Sequence, residues 1–231
     1  MSPRRSVADA LGTRAAILDR SVALASVEGL EGLTIGRLAT ELAMSKSGVL
    51  GHFGSKEALQ LAVLDRAGQI FRAEVWEPAL PAAPGLARLR VLCEAWISYL
   101  ERRVFPGGCF FVAAAHEFDG RPGAVRDAVE ARFDAWRERL GKEARRAVEA
   151  GELSAGTDPG QLVFELLGLV MALNHAIQLH GDQRATAHAR RGVQTRLGLE
   201  EGRPPRRRRG PYSAGGITPL RAGRTGPAPP A

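Results

Sequence analysis

Thr34, Ser45, Lys46, Ser47, Gly48, His52 and Lys56 crowd into one short stretch of the chain, and what they offer in common is contact with a polyanion. Lys46 and Lys56 bring positive charge, His52 a polar ring, and Thr34 and Ser45 hydroxyls at places where helices start. Ser47, Gly48 and Gly51 are small enough for a helix backbone to come close to a nucleic-acid surface. In such a contact, cations meet phosphates, hydroxyls and amides at helix starts fix the register, and a lightly decorated helix reads the major groove. Lys46, Ser47 and Gly48 are therefore candidates for the groove, and Thr34, Ser45, His52 and Lys56 for the sugar–phosphate backbone. Thr34 and Ser45 are also good N-caps, worth about 1 kcal/mol each, and the two roles are compatible.

The elements that must position these residues are short. Thr34 opens a helix whose Ile35, Leu38, Ala39 and Leu42 recur at helical spacing, so that one face packs. Ser45 opens a second helix after a tight turn, which gives the layout of a DNA-reading helix-turn-helix. A helix over about Thr13 to Val27, with Ile17, Leu18, Ser21, Leu24 and Ala25 inward, braces it.

Across Thr13-Arg14, Ile17-Leu18, Gly29, Leu33-Thr34, His52-Phe53 and Ser55-Lys56-Glu57-Ala58-Leu59 the chain resembles the TetR/AcrR family of one-component regulators. It departs from the family pattern at Ala43, where a turn glycine is usual, at Leu50, where a tyrosine is usual, and in the order Ser47-Gly48. A residue other than glycine at positive φ at position 43 would carry roughly 1–2 kcal/mol of strain. The resemblance implies an all-α fold, with an N-terminal three-helix helix-turn-helix DNA-binding domain and a larger C-terminal helical ligand-binding and dimerisation domain. It further implies a cytoplasmic repressor that binds a palindrome-like operator in double-stranded DNA as a homodimer, since one helix-turn-helix makes too few contacts for selective binding. A small, mostly apolar effector of unknown identity would release it. The resemblance also turns His52 towards phosphate contact. The alternative reading is a DNA-binding structural or division-linked factor of the same fold without an effector.

These readings divide the chain into a flexible arm over 1–12, a DNA-binding domain over 13–54, an effector-binding and dimerisation domain over 55–200, and a disordered basic Pro/Gly-rich tail over 201–231. Downstream of Ser55 a long helix runs to about Trp76, where Pro78, Pro81 and Pro84 stop it. Helices follow over about 86–103, 109–118 and 124–150, the last with Val125, Val129, Phe133, Trp136, Leu140, Ala144 and Val148 in one stripe. Asp158-Pro159 opens a helix that is apolar around more than half its circumference, which calls for a central place or a second subunit. A final helix spans about 182–197, and the resemblance puts it beside its predecessor at a dimer interface. For the effector pocket the candidates are Trp96, Tyr99, Phe110, Phe111, His116, Phe133, Trp136, Met171, Asn174 and His175, most of which also serve as ordinary core; Phe118 belongs to the same set.

Composition narrows the classes. The 231 residues are 45% hydrophobic and carry a net charge of +7, enough apolar material for one large helical unit. Seven of the 32 basic residues, Arg203, Arg206 to Arg209, Arg221 and Arg224, lie beyond residue 202, where no acidic residue occurs, so the first 202 residues carry 25 charges of each sign. DNA binding must then rest on local placement of charge; the tail could add counterion release. Cys93 and Cys109 lack metal-ligand or disulfide spacing. No metal, cofactor or catalytic residue is called for. His116, Glu117 and Asp119 point different ways on a helix, His175 and His180 are five apart, and no nucleophile elbow or phosphate-binding loop occurs. No uninterrupted apolar stretch reaches membrane-spanning length, so no membrane partner is expected.

Overall fold

A computed structural model describes residues 7–199, with side chains from residue 12 on. The arm expected over 1–12 falls partly and the tail over 201–231 wholly outside the described residues. The described chain is helical throughout: α1 (Val7–Glu28), α2 (Ile35–Glu41), α3 (Lys46–Phe53), α4 (Lys56–Phe71), α5 (Leu86–Glu101), α6 (Phe110–Phe118), α7 (Ala124–Glu149), α8 (Pro159–His180) and α9 (Ala185–Arg196). Helix α1 starts at Val7 rather than near Thr13; Ala8, Ala10 and Leu11 are strong helix formers that carry it back into the segment expected to be an arm.

Helices α1 to α3 form the reading unit. Ile17, Val22, Leu30, Leu33, Leu38 and Val49 are almost fully buried between them. Ser21, also buried, donates its hydroxyl proton to the Ile17 carbonyl at 2.7 Å, which removes the penalty of a polar group in this core. Across the surface Arg37 joins Glu28 at 2.9 Å and Glu41 at 2.8 Å, and Arg20 also pairs with Glu41, tying α1 to α2. Ala43, between α2 and α3, has φ of 51°, the strained left-handed conformation that its position in the turn suggested.

Helix α4 passes from the reading unit into a bundle in which α7 packs on α4, α5, α6 and α8, while α8 lies between α7 and α9. The expected long helix to Trp76 is continuous in direction but not in kind. After Phe71 it widens into a π turn over Arg72–Trp76 and tightens over Glu77–Ala79 before the prolines end it. Asp158 caps α8 by accepting from the Gly160 and Gln161 amides at 2.7 and 3.2 Å, with Pro159 at the first position. By length and mean hydropathy α8 could cross a bilayer, but Glu165, Asn174 and His175 interrupt its apolar run. Here it packs within the bundle and pairs its Glu165 with Arg196 of α9. A third of its apolar window is buried; Phe164 and Leu179 stand 73% and 66% exposed.

Candidate nucleic-acid interface and the cavity behind it

Helix α3 presents a small outer face. Val49 and Phe53 point into the core, and Lys46, Ser47, Leu50 and Gly51 lie outward. Ser45 caps the helix by accepting from the Gly48 amide at 3.0 Å, and Thr34 caps α2 by accepting from Arg37 at 3.1 Å. Both caps leave their residues exposed at the same edge. The Lys46 side chain runs back along α2, its Cε 3.4 Å from where a Cβ on Gly36 would lie, and its ammonium has no carboxylate partner among the described residues. His52 is half-buried beside Phe53, ring centroids 6.3 Å apart. The Arg14 guanidinium covers the other side of Phe53 at 4.9 Å, which anchors α1 to the end of α3.

Lys56, partly exposed, also has a partner within the protein. Its ammonium donates to the Glu31 carbonyl and to Glu31 Oε1, both at 2.7 Å. Together with Gln60, which donates to Glu31 Oε2 at 3.1 Å, this holds the Glu31 carboxyl below its ordinary 4.5. Gln60 also donates to the Leu30 carbonyl at 3.0 Å. From the other side Glu117, at the last turn of α6, accepts from the Leu30 and Glu31 amides at 2.7 and 2.8 Å. The elbow after α1 is thus gripped by α4 and α6 at once. Gly29, at φ of 83°, is needed there: a Cβ would lie 2.8 Å from Glu117 Oε1. Gly107 meets a similar demand, since its Cβ would fall 1.6 Å from the Ser26 carbonyl oxygen.

Behind the elbow α4, α5, α6 and α7 line a cavity of about 390 Å³ that is partly open to solvent. Trp96, Phe111, Phe133 and Trp136 line it as expected, and so do Asp65, Gly68, Phe71, Arg72, Cys109, Arg132 and Arg139, which are not among the pocket candidates given above. Phe71 is the hub, packing edge to face on Trp136 at 5.1 Å, Tyr99 at 5.5 Å, Trp96 at 5.8 Å and Phe111 at 6.0 Å. It is also the last residue before α4 widens, and π turns of this kind concentrate at functional sites.

A sequence model of bacterial regulatory proteins of the tetR family matches residues 17–63, and one of the tetracyclin repressor-like C-terminal domain matches residues 85–193. The chain belongs to the TetR family of transcriptional regulators. Its N-terminal helices are the family's DNA-binding helix-turn-helix, and its C-terminal bundle is the family's ligand-binding domain. Solved TetR structures share the fold. A regulator from Chloroflexus aurantiacus J-10-fl is 23% identical, with a TM-score of 0.77 over 84% of this chain and 98% of that one. One from Cytophaga hutchinsonii is 18% identical, with 0.73 over 87% and 100%. AibR, solved in complex with isovaleryl coenzyme A and operator DNA, is 23% identical, with 0.66 over 79% and 96%. No match was found among curated proteins.

Within this TetR bundle the remaining pocket candidates lie elsewhere. Tyr99 and Phe110 are buried one layer back, both packed edge-on against Phe105, and Phe118 is buried at the far end of α6 under Arg121. His116 points outward from α6. Asn174 accepts from the Cys109 amide at 2.8 Å and so holds the residue that precedes α6. Met171 lines an outer groove between α7 and α8 with Phe164 and Gly168. His175 is exposed and, five residues from His180 though it is, meets that ring at 5.5 Å, because side-chain reach over the last turn of α8 does what a shared face does not. No group of three or more His, Cys, Asp or Glu suited to a metal occurs among the described residues. Burial pushes the Cys93 thiol up to about 12 and raises Cys109 as well. Arg132, Trp136 and Arg139 follow at i, i+4 and i+7 on α7, a stripe that mixes charge with aromatics and was the missed signal.

Proposed function

We propose that the chain is a one-component regulator, a repressor, that binds a palindrome-like operator as a homodimer and leaves it when a small, mostly apolar effector fills the cavity. Lys46, Ser47 and Gly48 enter the major groove, Thr34, Ser45 and His52 meet the backbone, and Lys56 braces the reading unit through Glu31. The second copy covers the outer face of α8, where Phe164 and Leu179 stand exposed and nothing fills the space beside Gly168. The protein acts where the chromosome is, in the cytoplasm, and is not an enzyme.

One observation carries the switch: two of the helices that line the cavity, α4 and α6, also hold the elbow. Helix α4 gives Gly68 and Phe71 to the cavity and Lys56 and Gln60 to the elbow; α6 gives Phe111 to the cavity and Glu117 to the elbow. An effector that displaces Phe71 or Phe111 moves the helix ends that set the separation of the two reading helices, which must match about 34–36 Å per turn of DNA. AibR, crystallised with an acyl thioester and its operator, is a relative by fold for which both kinds of ligand are at hand. The cavity favours this reading over a structural factor without an effector.

Genome-wide mapping of bound sites tests it. A few sites with inverted repeats close to a small set of genes, lost on addition of an effector, are expected; many scattered sites indifferent to every small molecule would overturn the switch.

A further inference from the structure

The cavity is more selective in chemistry than in shape. Its body is aromatic: Phe71, Trp96, Phe111, Phe133 and Trp136 line it, and the first two pack edge to face with Trp136 at 5.1 and 5.3 Å. Walls of this kind accept a flat ring system in the same offset and edge-on contacts. Its volume of about 390 Å³ lies in the range of small-molecule sites.

The polar groups lean one way. Three guanidinium groups, Arg72, Arg132 and Arg139, stand against one carboxylate, Asp65. Asp65 is already paired with Arg132, and Arg72 with Glu77 at 3.1 Å. Arg139 rests on the Trp76 ring at 5.0 Å and has no carboxylate partner among the described residues. Three of the four buried side-chain polar atoms that lack a hydrogen-bond partner among the described residues belong to this lining: Trp96 Nε1, Trp136 Nε1 and Arg132 Nε. All three are donors. The Trp96 indole is offered the Cys109 sulfur, a weak acceptor, whereas Trp136, only 7% exposed, is offered nothing. A buried donor without an acceptor is destabilising, and native interiors rarely keep one without a reason. What the site lacks is acceptors and negative charge.

Resting on the proposal that this cavity takes the effector, we infer that the effector is a flat organic anion, an aromatic or conjugated carboxylate, with its ring system among Phe71, Phe111, Phe133 and Trp136 and its carboxylate on Arg132 and Arg139. A neutral apolar ligand leaves the donors unpaired. A cation gains from the aromatic faces but meets three guanidinium groups.

Calorimetric titration of the full chain, without DNA, compares three probes of one shape: 2-naphthoate, its methyl ester and (2-naphthylmethyl)trimethylammonium. The carboxylate should bind at least about tenfold tighter than the ester, the difference of one charge-assisted hydrogen bond, and the ammonium weakest. In Arg139→Gln, a change on an exposed side chain, the carboxylate-to-ester ratio should fall towards one. An ester or ammonium that binds as tightly as the carboxylate, a ratio untouched by Arg139→Gln, or no binding of 2-naphthoate at millimolar concentration would each overturn the assignment. Such a failure removes the anion and leaves the regulator standing, because operator binding is read separately; loss of sequence-selective DNA binding would remove the regulator instead.

Discussion

Replacing Glu117 by glutamine isolates the tie between the cavity and the reading unit. In the native chain each carboxylate oxygen accepts one backbone amide, Oε2 from Leu30 at 2.7 Å and Oε1 from Glu31 at 2.8 Å. Hydrogen bonds to a charged group are worth about 1.5–3 kcal/mol each, and partial exposure of this site puts both near the lower bound. Glutamine keeps one acceptor and turns an NH2 group towards the other amide, so one bond is lost and two donors face each other, a destabilisation of about 2 kcal/mol. For a chain of this size that lowers Tm by about 4–8 °C. Alanine removes both bonds, but the exposed Glu31 amide regains water, so the loss rises only to about 3 kcal/mol. Thermal unfolding gives the total, and hydrogen exchange at the Leu30 and Glu31 amides locates it: both should exchange faster in the variant while α8 stays protected. With an effector in hand, the change in operator affinity should shrink relative to wild type. A Glu117→Gln protein that melts within about 1 °C of wild type, with Leu30 and Glu31 exchange unchanged, would refute the claim that this carboxylate holds the elbow.

Other consequences are narrower. Ala43→Gly relieves the left-handed strain at φ of 51° and, after the extra unfolded-state entropy of glycine, should stabilise the chain by about 0.5–1 kcal/mol in denaturant unfolding; a loss of stability would contradict the strain. Phe164→Glu puts a charge on the exposed face of α8 and should shift the chain towards monomer in sedimentation experiments without lowering monomer helicity, whereas an unchanged dimer would move the interface elsewhere. Glu31 has a lowered folded value, so its contribution is fully present above its ordinary 4.5 and is lost as pH falls below it. Glu31→Gln should therefore flatten the acid side of the stability curve, and an identical acid slope in both proteins would count against the Lys56 and Gln60 ties. Cys93 and Cys109, buried with raised thiol values, should resist alkylation in the native state and react on unfolding.

The reading unit was legible because its signals are local. Thr34, Ser45 and Ser55 each cap the helix they precede through their own hydroxyls, an interaction that spans three residues and leaves a mark in the sequence. Asp158-Pro159 marked α8 for the same reason. The cavity was only half legible. Apolar periodicity finds Trp96, Phe111, Phe133 and Trp136 but cannot tell a side chain that faces a void from one that faces a neighbour, so Tyr99 and Phe110 were grouped with them although they are core. Asp65, Arg72, Arg132 and Arg139 were invisible because charge on an amphipathic helix reads as solvent-facing. Asn174 and His116 looked like polar pocket groups; one bonds the Cys109 amide 65 residues away in sequence and the other faces outward. The tie from Lys56 to Glu31 was not legible because the two lie 25 residues apart across a turn.

Operator recognition of this kind requires α3 to be offered outward in pairs to adjacent turns of a duplex. Selection of bound fragments from random DNA by the full chain, followed by footprinting, tests that directly. The expected outcome is an inverted repeat protected on two half-sites about one helical turn apart, with affinity reduced at least about tenfold by Lys46→Glu. Fragments without two-fold symmetry, or an enriched site bound equally well by the Lys46→Glu protein, would contradict it.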